Sequence, residues 1–448
     1  MGHLGEPVAR YHKLLHADKY RDLAWAHEFQ SLGNQIAHPA PLGTAVLRPH
    51  FISNRDLRRL THATERLAAI LHHIEAVALQ SPPLLDRIHL LPAEKMLAAI
   101  PPGYSRVNVS SRVGAHLQNG SVSLHDFAPC DASGLACCER LSDLFLDLGL
   151  LKEFKRGRFK LTKLGGAGYL IPAVLQAWKE FGGKRQPRVG VLDFKDAVIS
   201  EPSEAACIVE LFTRRNVPAR VVTPEELEYR SGKLCSNDFE IDVVFRRVLT
   251  RDLLIRFDLS HPLLLAYRDR AVCVVNNFRS EISQRRALFD LVTDETVTSR
   301  LSVADRRLIR EFVPWTRVVA QSKTTYRDRP IDLPEFIRRT REKLVLRPNE
   351  DTDGHRAYIG AELDERAWDR ALVTALRSPY VVQERLPSLR HVFPVLHYGE
   401  LQMREMEVSI QPYVFGGRMH GASALLRPVS SASASPVSIT PVLLLERR

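Results

Sequence analysis

Short apolar strands alternate with helices between residues 188 and 277, and this alternation limits the folds open to the chain. The segments RVGVLDF, ARVVT, EIDVVFRRVL and VCVVNN are each predicted to be strands, and EPSEAACIVELFTRRN between the first two is predicted to be a helix. Parallel strands need a long crossover, usually a helix, whereas antiparallel strands need only a turn. The pattern therefore predicts a small doubly wound α/β unit with a parallel sheet.

The segments on either side of this unit have different patterns. Residues 53–79 repeat apolar side chains at helical spacing, and AEKMLAAI is predicted to be a second helix that stops at Pro101. The turn signal Asn119-Gly120 predicts a hairpin, and a helix is expected from about Ser133 to Asp147. LLKEFKRGRFKLTKL is expected to form another small hairpin, and a helix over 169–181 ends at Gly182-Gly183. Several antiparallel strands are expected at the C-terminal end.

These patterns divide the sequence into four expected domains of a mixed α/β (α+β) protein. They are a mostly helical extension over 1–100, a segment over 101–186 that carries the hairpin, the parallel unit over 187–280, and a C-terminal part over 281–448.

Composition narrows the class of protein further. The chain has 448 residues, 45% of them hydrophobic, which is enough for a large core, and its six cysteines lack disulfide-framework spacing. No run approaches the roughly 18 apolar residues of a membrane span, so a soluble cytoplasmic protein without a membrane partner is expected. The net charge of +11 is spread along the chain among acidic residues, which argues against a nucleic-acid partner.

Four segments carry a resemblance to a known family. They are RVNVSSRVGAHLQNGSVSLHDFAP in the first half, and then LVLRPNEDTDGHRAYIG, YVVQERLP and IQPYVFGGRMHGASALLR near the C-terminal end. In this order the sequence resembles circularly permuted ATP-grasp proteins related to glutathionylspermidine synthases. The resemblance covers about 100–448. It implies a circularly permuted ATP-grasp fold, with the parallel unit as a pre-ATP-grasp-like domain and with an N-terminal helical extension.

The resemblance also implies roles for individual residues, with ATP and Mg²⁺ as cofactors. The residues expected to bind the nucleotide are Arg347, Gly354, Val382, Gln383 and Glu384. The residues expected to bind metal are Asp126 and Glu407. The residues expected to act in catalysis, near the phosphates or the acidic substrate, are Arg427, Arg246 and Arg247. The partners implied are a small-molecule acid and an amine.

The sequence departs from the family pattern at the phosphate loop and at the metal ligands. The loop after Pro348 holds one glycine, Gly354, and carries Glu350 and Asp351, whose charges repel a triphosphate. A family Asn falls on Ala128, and a family carboxylate falls on Ser409. Asp126 itself is open to a second interpretation, as a carboxylate that caps the turn before the next helix.

Two hypotheses about function follow from this comparison. The first is an ATP-dependent carboxylate–amine (or thiol) ligase that acts through an acyl-phosphate intermediate. The second is a catalytically degenerate ATP-grasp protein that binds a nucleotide or a partner without turnover.

Overall fold

The structure is a computed structural model that describes residues 4–37, 45–118, 120–129, 134–198, 203–351, 356–429 and 437–448. In these ranges the α-helices are α1 Gly5–Leu15, α2 Ala24–Ala37, α3 Asn54–Gln80, α4 Pro82–Asp86, α5 Pro92–Ala99, α6 Leu135–Asp147, α7 Gly149–Lys155, α8 Leu170–Phe181, α9 Lys195–Val198, α10 Glu204–Thr213, α11 Thr250–Arg256, α12 Pro262–Arg268, α13 Glu281–Gln284, α14 Leu288–Val292, α15 Glu295–Thr298, α16 Val303–Phe312, α17 Leu333–Arg339 and α18 Glu365–Arg377.

The strands in the same ranges are β1 Ala45–Val46, β2 His50–Ile52, β3 Ser110–Gln118, β4 Ser121–Ala128, β5 Phe159–Lys163, β6 Val189–Leu192, β7 Ala219–Val222, β8 Leu227–Arg230, β9 Lys233–Ser236, β10 Phe239–Ile241, β11 Val243–Arg246, β12 Cys273–Val275, β13 Thr316–Val318, β14 Lys323–Tyr326, β15 Arg329–Asp332, β16 Leu344–Pro348, β17 Tyr358–Ile359, β18 Tyr380–Glu384, β19 Arg390–His397, β20 Glu400–Phe415, β21 Arg418–Pro428 and β22 Ser438–Arg447.

Nine of these strands form one sheet, here called the central sheet. Its order is β1-β19-β20-β21-β22-β2, with β3 and β4 continuing from β20 and with β5 paired to β22. One face packs on α3, which begins after an N-cap at Ser53, and buries Leu67 and Leu71 against Val113 and Ile410. Successive residues of a strand point to opposite sides, and the opposite face carries polar side chains near Asp126 and Glu407, whereas Tyr413 and Leu443 on that face pack in two other apolar clusters.

A parallel four-stranded sheet in the order β12-β11-β6-β7 forms the middle of the chain, and its parallel pairing confirms the pattern in the sequence. Val189 and Phe245 pack in one buried cluster with residues of α8 and α10. Val244 packs in a second cluster with residues of α12, such as Leu263. Helices therefore cover both faces, which explains why these strands are uniformly apolar.

A third sheet, here called the small sheet, has the order β13-β18-β16-β17 and is antiparallel. Leu344, Leu346 and Val382 pack with α17 and α18, including the buried Trp368. Because side chains alternate along a strand, Arg347 and Gln383 point to the other side, toward β4 of the central sheet.

The structure differs from the expectation based on the sequence in two segments. The segment expected as a hairpin over 150–164 contains most of the helix α7, which buries Leu150, Leu151 and Phe154, and the single strand β5, which pairs with β22. The first 100 residues also contain β1 and β2, which join the central sheet beside β19 and β22. In the part of the chain that the structure describes, no helix is both long enough and apolar enough to cross a membrane.

Candidate functional site

Arg347 lies where the small sheet meets the central sheet. Its Nη2 donates to Oδ2 of Asp126 at 2.9 Å, and its Nη1 donates to the backbone oxygen of His125 at 3.0 Å. Nη1 also lies 3.3 Å from Oε1 of Gln383 on the neighbouring strand. Arg347 therefore contacts directly two other residues that the sequence assigns to the nucleotide or its metal, Gln383 and Asp126.

A β-bulge positions Asp126. Ala115 pairs with Leu124 and Gly114 pairs with Asp126, which leaves His125 without a partner in the register. The extra residue lets Leu124 and Phe127 both enter the core beneath the sheet while Asp126 stays on the polar face. The hairpin signal predicts these strands, but the shift in register is visible only in the structure.

Arg286, for which the sequence predicts no role, also contacts Asp126. Its Nη2 lies 3.5 Å from the same Oδ2 atom of Asp126, and its Nη1 donates to the backbone oxygen of Pro348 at 2.9 Å. The signal in the sequence is the adjacent pair Arg285-Arg286, a doubled charge beside an apolar helix. Local pattern gives no reason for that pair to reach a strand end about sixty residues later.

The positive charges at this contact lower the pKa of the Asp126 carboxyl. The surrounding protein would raise the pKa of the Asp126 carboxyl, but the guanidinium groups of Arg286 and Arg347 outweigh this and hold the pKa well below its usual range. Burial lowers the pKa of Arg347, and the charge of Arg286 lowers it further. Asp126 is therefore a carboxylate that serves as the counter-ion of two arginines.

The residues after β16 are held by hydrogen bonds and ion pairs. Asn349 accepts a hydrogen bond from the backbone N–H of Ala287 at 2.8 Å and donates to the backbone oxygen of Ile88 at 2.9 Å. Asp351 pairs with Arg286 at 2.5 Å. Gly354, the predicted phosphate-loop glycine, lies outside the described residues.

Glu350 belongs to a second, more buried group of charges. It pairs with Arg285 and, at 3.2 Å, with Arg251. Arg285 also binds the fully buried Glu94 at 2.6 Å. The acidic residues that the sequence places beside the phosphates are thus neutralised by arginines of the chain itself.

Gln383 and Glu384, which are both expected to bind the nucleotide, face in different directions. Gln383 faces the central sheet and donates to Oγ1 of Thr316 at 3.0 Å. Glu384 accepts hydrogen bonds from Tyr326 at 2.5 Å and Arg327 at 3.1 Å. Val382, which is also expected to bind the nucleotide, packs in the apolar cluster with α17 and α18, as strand alternation requires.

Glu384 and Trp315 line a cavity of about 400 Å³ beside β13. The other walls include the apolar Ile309 and Val313 and the cation Arg306. Such a mixed lining, with one aromatic ring and a few polar groups, suits a small organic ligand.

Glu407 and Arg427 lie on the polar face of the central sheet. They are opposite each other on β20 and β21, and Glu407 pairs with Arg390 at 3.6 Å. The register separates Glu407 from Asp126 by two strand spacings and four residues, or roughly 16 Å between Cα atoms. The two carboxylates therefore do not meet at one ion, and their assignment as metal ligands stays a prediction.

Arg246 and Arg247 form their hydrogen bonds with residues other than those that surround Asp126. Arg246 is fully buried and binds Glu281 at 2.8 Å, Val248 O at 2.9 Å and Ser280 Oγ at 3.0 Å. Arg247 donates to Asp193 at 2.9 Å and is largely buried. The structure therefore gives Arg246 a place in the interior of the parallel unit, where its charge is neutralised by Glu281.

Magnesium does not fit the donor set at this contact. Mg²⁺ at a nucleotide site takes one or two free protein carboxylates together with phosphate and water oxygens. Oδ2 of Asp126 is already shared by two guanidinium groups. Among the residues described by the structure, no three or more His, Cys, Asp and Glu side chains are grouped so that they could hold a metal ion.

Comparison with known proteins identifies the fold. No protein-family model matches the sequence, and no curated protein matches it. The structure is similar to that of a glutathione synthetase-like effector from Globodera pallida in its apo form, with a TM-score of 0.60 and 12% identity over 95% of this chain and 98% of that chain. Two further structures have lower TM-scores. A putative gamma-glutamylcysteine synthetase from Methylobacillus flagellatus has a TM-score of 0.41 and 11% identity, over 87% of this chain and 86% of that chain. A RimK domain ATP-grasp protein from Sphaerobacter thermophilus has a TM-score of 0.28 and 17% identity, over 53% of this chain and 90% of that chain.

The first of these similarities defines the class of fold. The chain has a mixed α+β fold that it shares, over nearly its whole length, with a glutathione synthetase-like protein. This supports the mixed α+β fold expected from the sequence, while the assignment to the ATP-grasp group stays a prediction. The circular permutation and the relation to glutathionylspermidine synthases stay predictions.

Proposed function

We propose that the protein is an ATP-dependent carboxylate–amine (or thiol) ligase whose nucleotide phosphates bind at Arg347. The observation that carries this proposal is the convergence of Arg347, Gln383 and Asp126 from three strands of two sheets. A cation fixed at a strand end neutralises phosphate charge, and polar groups on the adjacent strand can orient the rest of the nucleotide.

The reaction proposed has two steps. A carboxylate oxygen of the acid attacks the γ-phosphorus of ATP, the bond to the β-phosphate oxygen breaks, and ADP leaves. The amine nitrogen then attacks the acyl carbon, inorganic phosphate leaves, and the amine proton passes to solvent. Arg347 and Arg286 would stabilise the charge that develops on the transferred phosphoryl group, since fixed cations act most strongly at such a charge.

The substrates proposed are a small-molecule acid and an amine, in a cytoplasmic setting where ATP is available. The similar structure from Globodera pallida is named as glutathione synthetase-like, which makes amino acids and short γ-glutamyl peptides the first acids to examine. Magnesium has no part in the steps above because the donor set does not fit it.

A second candidate function is nucleotide binding without turnover. One observation favours it: Asp126, the carboxylate expected to hold a metal, is engaged by both Arg347 and Arg286. A site that has lost its metal ligands keeps phosphate affinity more readily than it keeps phosphoryl transfer.

The test is a screen for substrate-dependent ADP release. The full chain is mixed with ATP, with and without magnesium, and with pools of amino acids, short peptides and polyamines. We expect ADP release that depends on one acid and one amine, and a loss of at least tenfold in Arg347→Met. The control is Arg214→Met, which removes an exposed arginine paired with Glu210 on α10.

The outcomes separate the two candidates. ATP binding without ADP release from any pool would overturn the ligase and support binding without turnover. Absence of ATP binding would overturn both.

A further inference from the structure

One oxygen atom of Asp126 receives two guanidinium groups. Nη2 of Arg347 lies at 2.9 Å and Nη2 of Arg286 at 3.5 Å from the same Oδ2. A third arginine, Arg112, stands close by, where its Nη1 donates to Gln411 at 2.8 Å and its charge also lowers the pKa of Asp126. Cations converging on one acidic oxygen form the arrangement that binds phosphate oxygens in proteins.

Asp351 reaches the same cluster from another direction. Its carboxylate lies 2.5 Å from Nη2 of Arg286, yet 83% of its side chain is exposed. Arg286 is 9% exposed, but water already solvates most of the Asp351 carboxylate, so an external anion can replace Asp351 at modest cost. Asp126 is also reachable, because 31% of its side chain is exposed.

The arginines of the cluster carry positive charge where a metal ion would otherwise supply it. Magnesium serves a nucleotide chiefly by neutralising its phosphate oxygens. Arg286 and Arg347 carry the same kind of charge on rigid, planar donors held by the protein: Arg286 is anchored by Pro348 O and Arg347 by His125 O. Both arginines keep further N–H groups for a phosphate once a carboxylate withdraws.

We propose that Arg286 and Arg347 bind the nucleotide phosphates directly and without magnesium, and that Asp126 and Asp351 compete with phosphate for these two guanidinium groups. The proposal rests on the nucleotide site proposed above and concerns how that site is controlled. It makes a prediction opposite to that of a metal site. A metal ligand strengthens nucleotide binding, whereas a competing carboxylate weakens it.

The experiment is calorimetric titration of the full chain with inorganic tripolyphosphate and with ATP, first in EDTA and then with magnesium. We expect binding in EDTA, and affinity that is unchanged or lower when magnesium is added. Asp351→Asn and Asp126→Asn should each bind tripolyphosphate about 3- to 10-fold more tightly, and Arg286→Gln at least tenfold more weakly. Arg286→Lys keeps the charge and should lose less, which separates a charge effect from damage to the fold.

The matched control is Asp369→Asn, which removes an exposed aspartate that pairs with Arg338 on the far side of the small sheet. Its affinity should equal that of the unmodified protein. The proposal is overturned if tripolyphosphate does not bind in EDTA, if binding requires magnesium, or if Asp126→Asn weakens binding. Binding in EDTA with the expected changes but without ADP release would leave this proposal standing and overturn the ligase. ADP release together with nucleotide binding that requires magnesium would overturn this proposal and leave the ligase standing.

Discussion

Replacing Arg246 tests whether this residue stabilises the fold or contacts a substrate. Its guanidinium is fully buried and binds the equally buried Glu281 at 2.8 Å. It also donates to Thr250 Oγ1 at 3.0 Å and to the backbone oxygens of Asn276 and Asn277 at 3.0 and 3.2 Å. Arg246→Met removes these bonds and leaves Glu281 with much of its charge uncompensated in the interior.

Removing one partner of a buried ion pair costs about 3–5 kcal/mol. Since about 1.4 kcal/mol is a factor of ten in an equilibrium constant, opening of the parallel sheet should become at least about 100-fold more frequent. Native-state hydrogen exchange of peptides covering Val243–Arg246 measures this directly. The loss should be smaller in Arg246→Met/Glu281→Met, where no charge is left buried alone.

The pH dependence gives a second check. Burial would raise the pKa of Glu281, but Arg246 and Arg285 outweigh it and hold the pKa below its ordinary value of 4.5. That pair therefore stabilises the fold above this pH and loses its effect as the pH falls through the folded pKa. In Arg246→Met the penalty should shrink at acidic pH, where Glu281 takes up a proton. Less than a tenfold change in exchange at neutral pH, together with lost ADP release, would show that Arg246 faces a substrate instead.

Two further predictions concern buried polar groups. Burial raises the pKa of Glu75 to about 8, and one of its oxygens accepts a hydrogen bond from Asn108 at 2.6 Å. Because the folded pKa lies above the unfolded value of 4.5, the stability from this group is complete below about pH 4.5 and is lost as the pH rises toward 8. Glu75→Gln should therefore be more stable than the unmodified chain at pH 9, by up to about 3–5 kcal/mol. Urea unfolding at pH 9 measures this difference. A midpoint no higher than that of the unmodified chain would contradict the prediction. Asn349→Ala leaves the backbone N–H of Ala287 and the backbone C=O of Ile88 without their side-chain partner. The urea midpoint should fall by an amount equivalent to about 1–3 kcal/mol for each of these two backbone groups. An unchanged midpoint would mean that water replaces the amide.

Local periodicity predicts much of the scaffold. The helix expected over 53–79 is Asn54–Gln80, because its apolar side chains recur at helical spacing and Ser53 caps it. The parallel sheet follows from apolar strands separated by helices. The contact between Arg347 and Gln383 could also be predicted, because both side chains lie on the same face of adjacent strands.

The remaining features depend on contacts between distant segments. Arg286 reaches Asp126 across 160 residues, and nothing near Arg286 in the sequence indicates that partner. The buried role of Arg246 depends on Glu281, which lies 35 residues later. Val382 and Gln383 are adjacent on one strand, so their side chains point to opposite faces and cannot both contact one ligand. Val382 packs in the apolar cluster with Trp368, which leaves Gln383 on the other face. Sequence pattern therefore predicts elements and faces, but not which charges meet.

The central claim is that Arg347 marks the nucleotide site between the small sheet and the central sheet. Calorimetric titration of ATP into the unmodified chain, Arg347→Met and the surface control Arg214→Met tests it most directly. We predict saturable binding to the unmodified chain and the control, and affinity at least tenfold lower in Arg347→Met. Equal affinity in all three proteins would place the nucleotide elsewhere, and no binding in any of them would contradict the account as a whole.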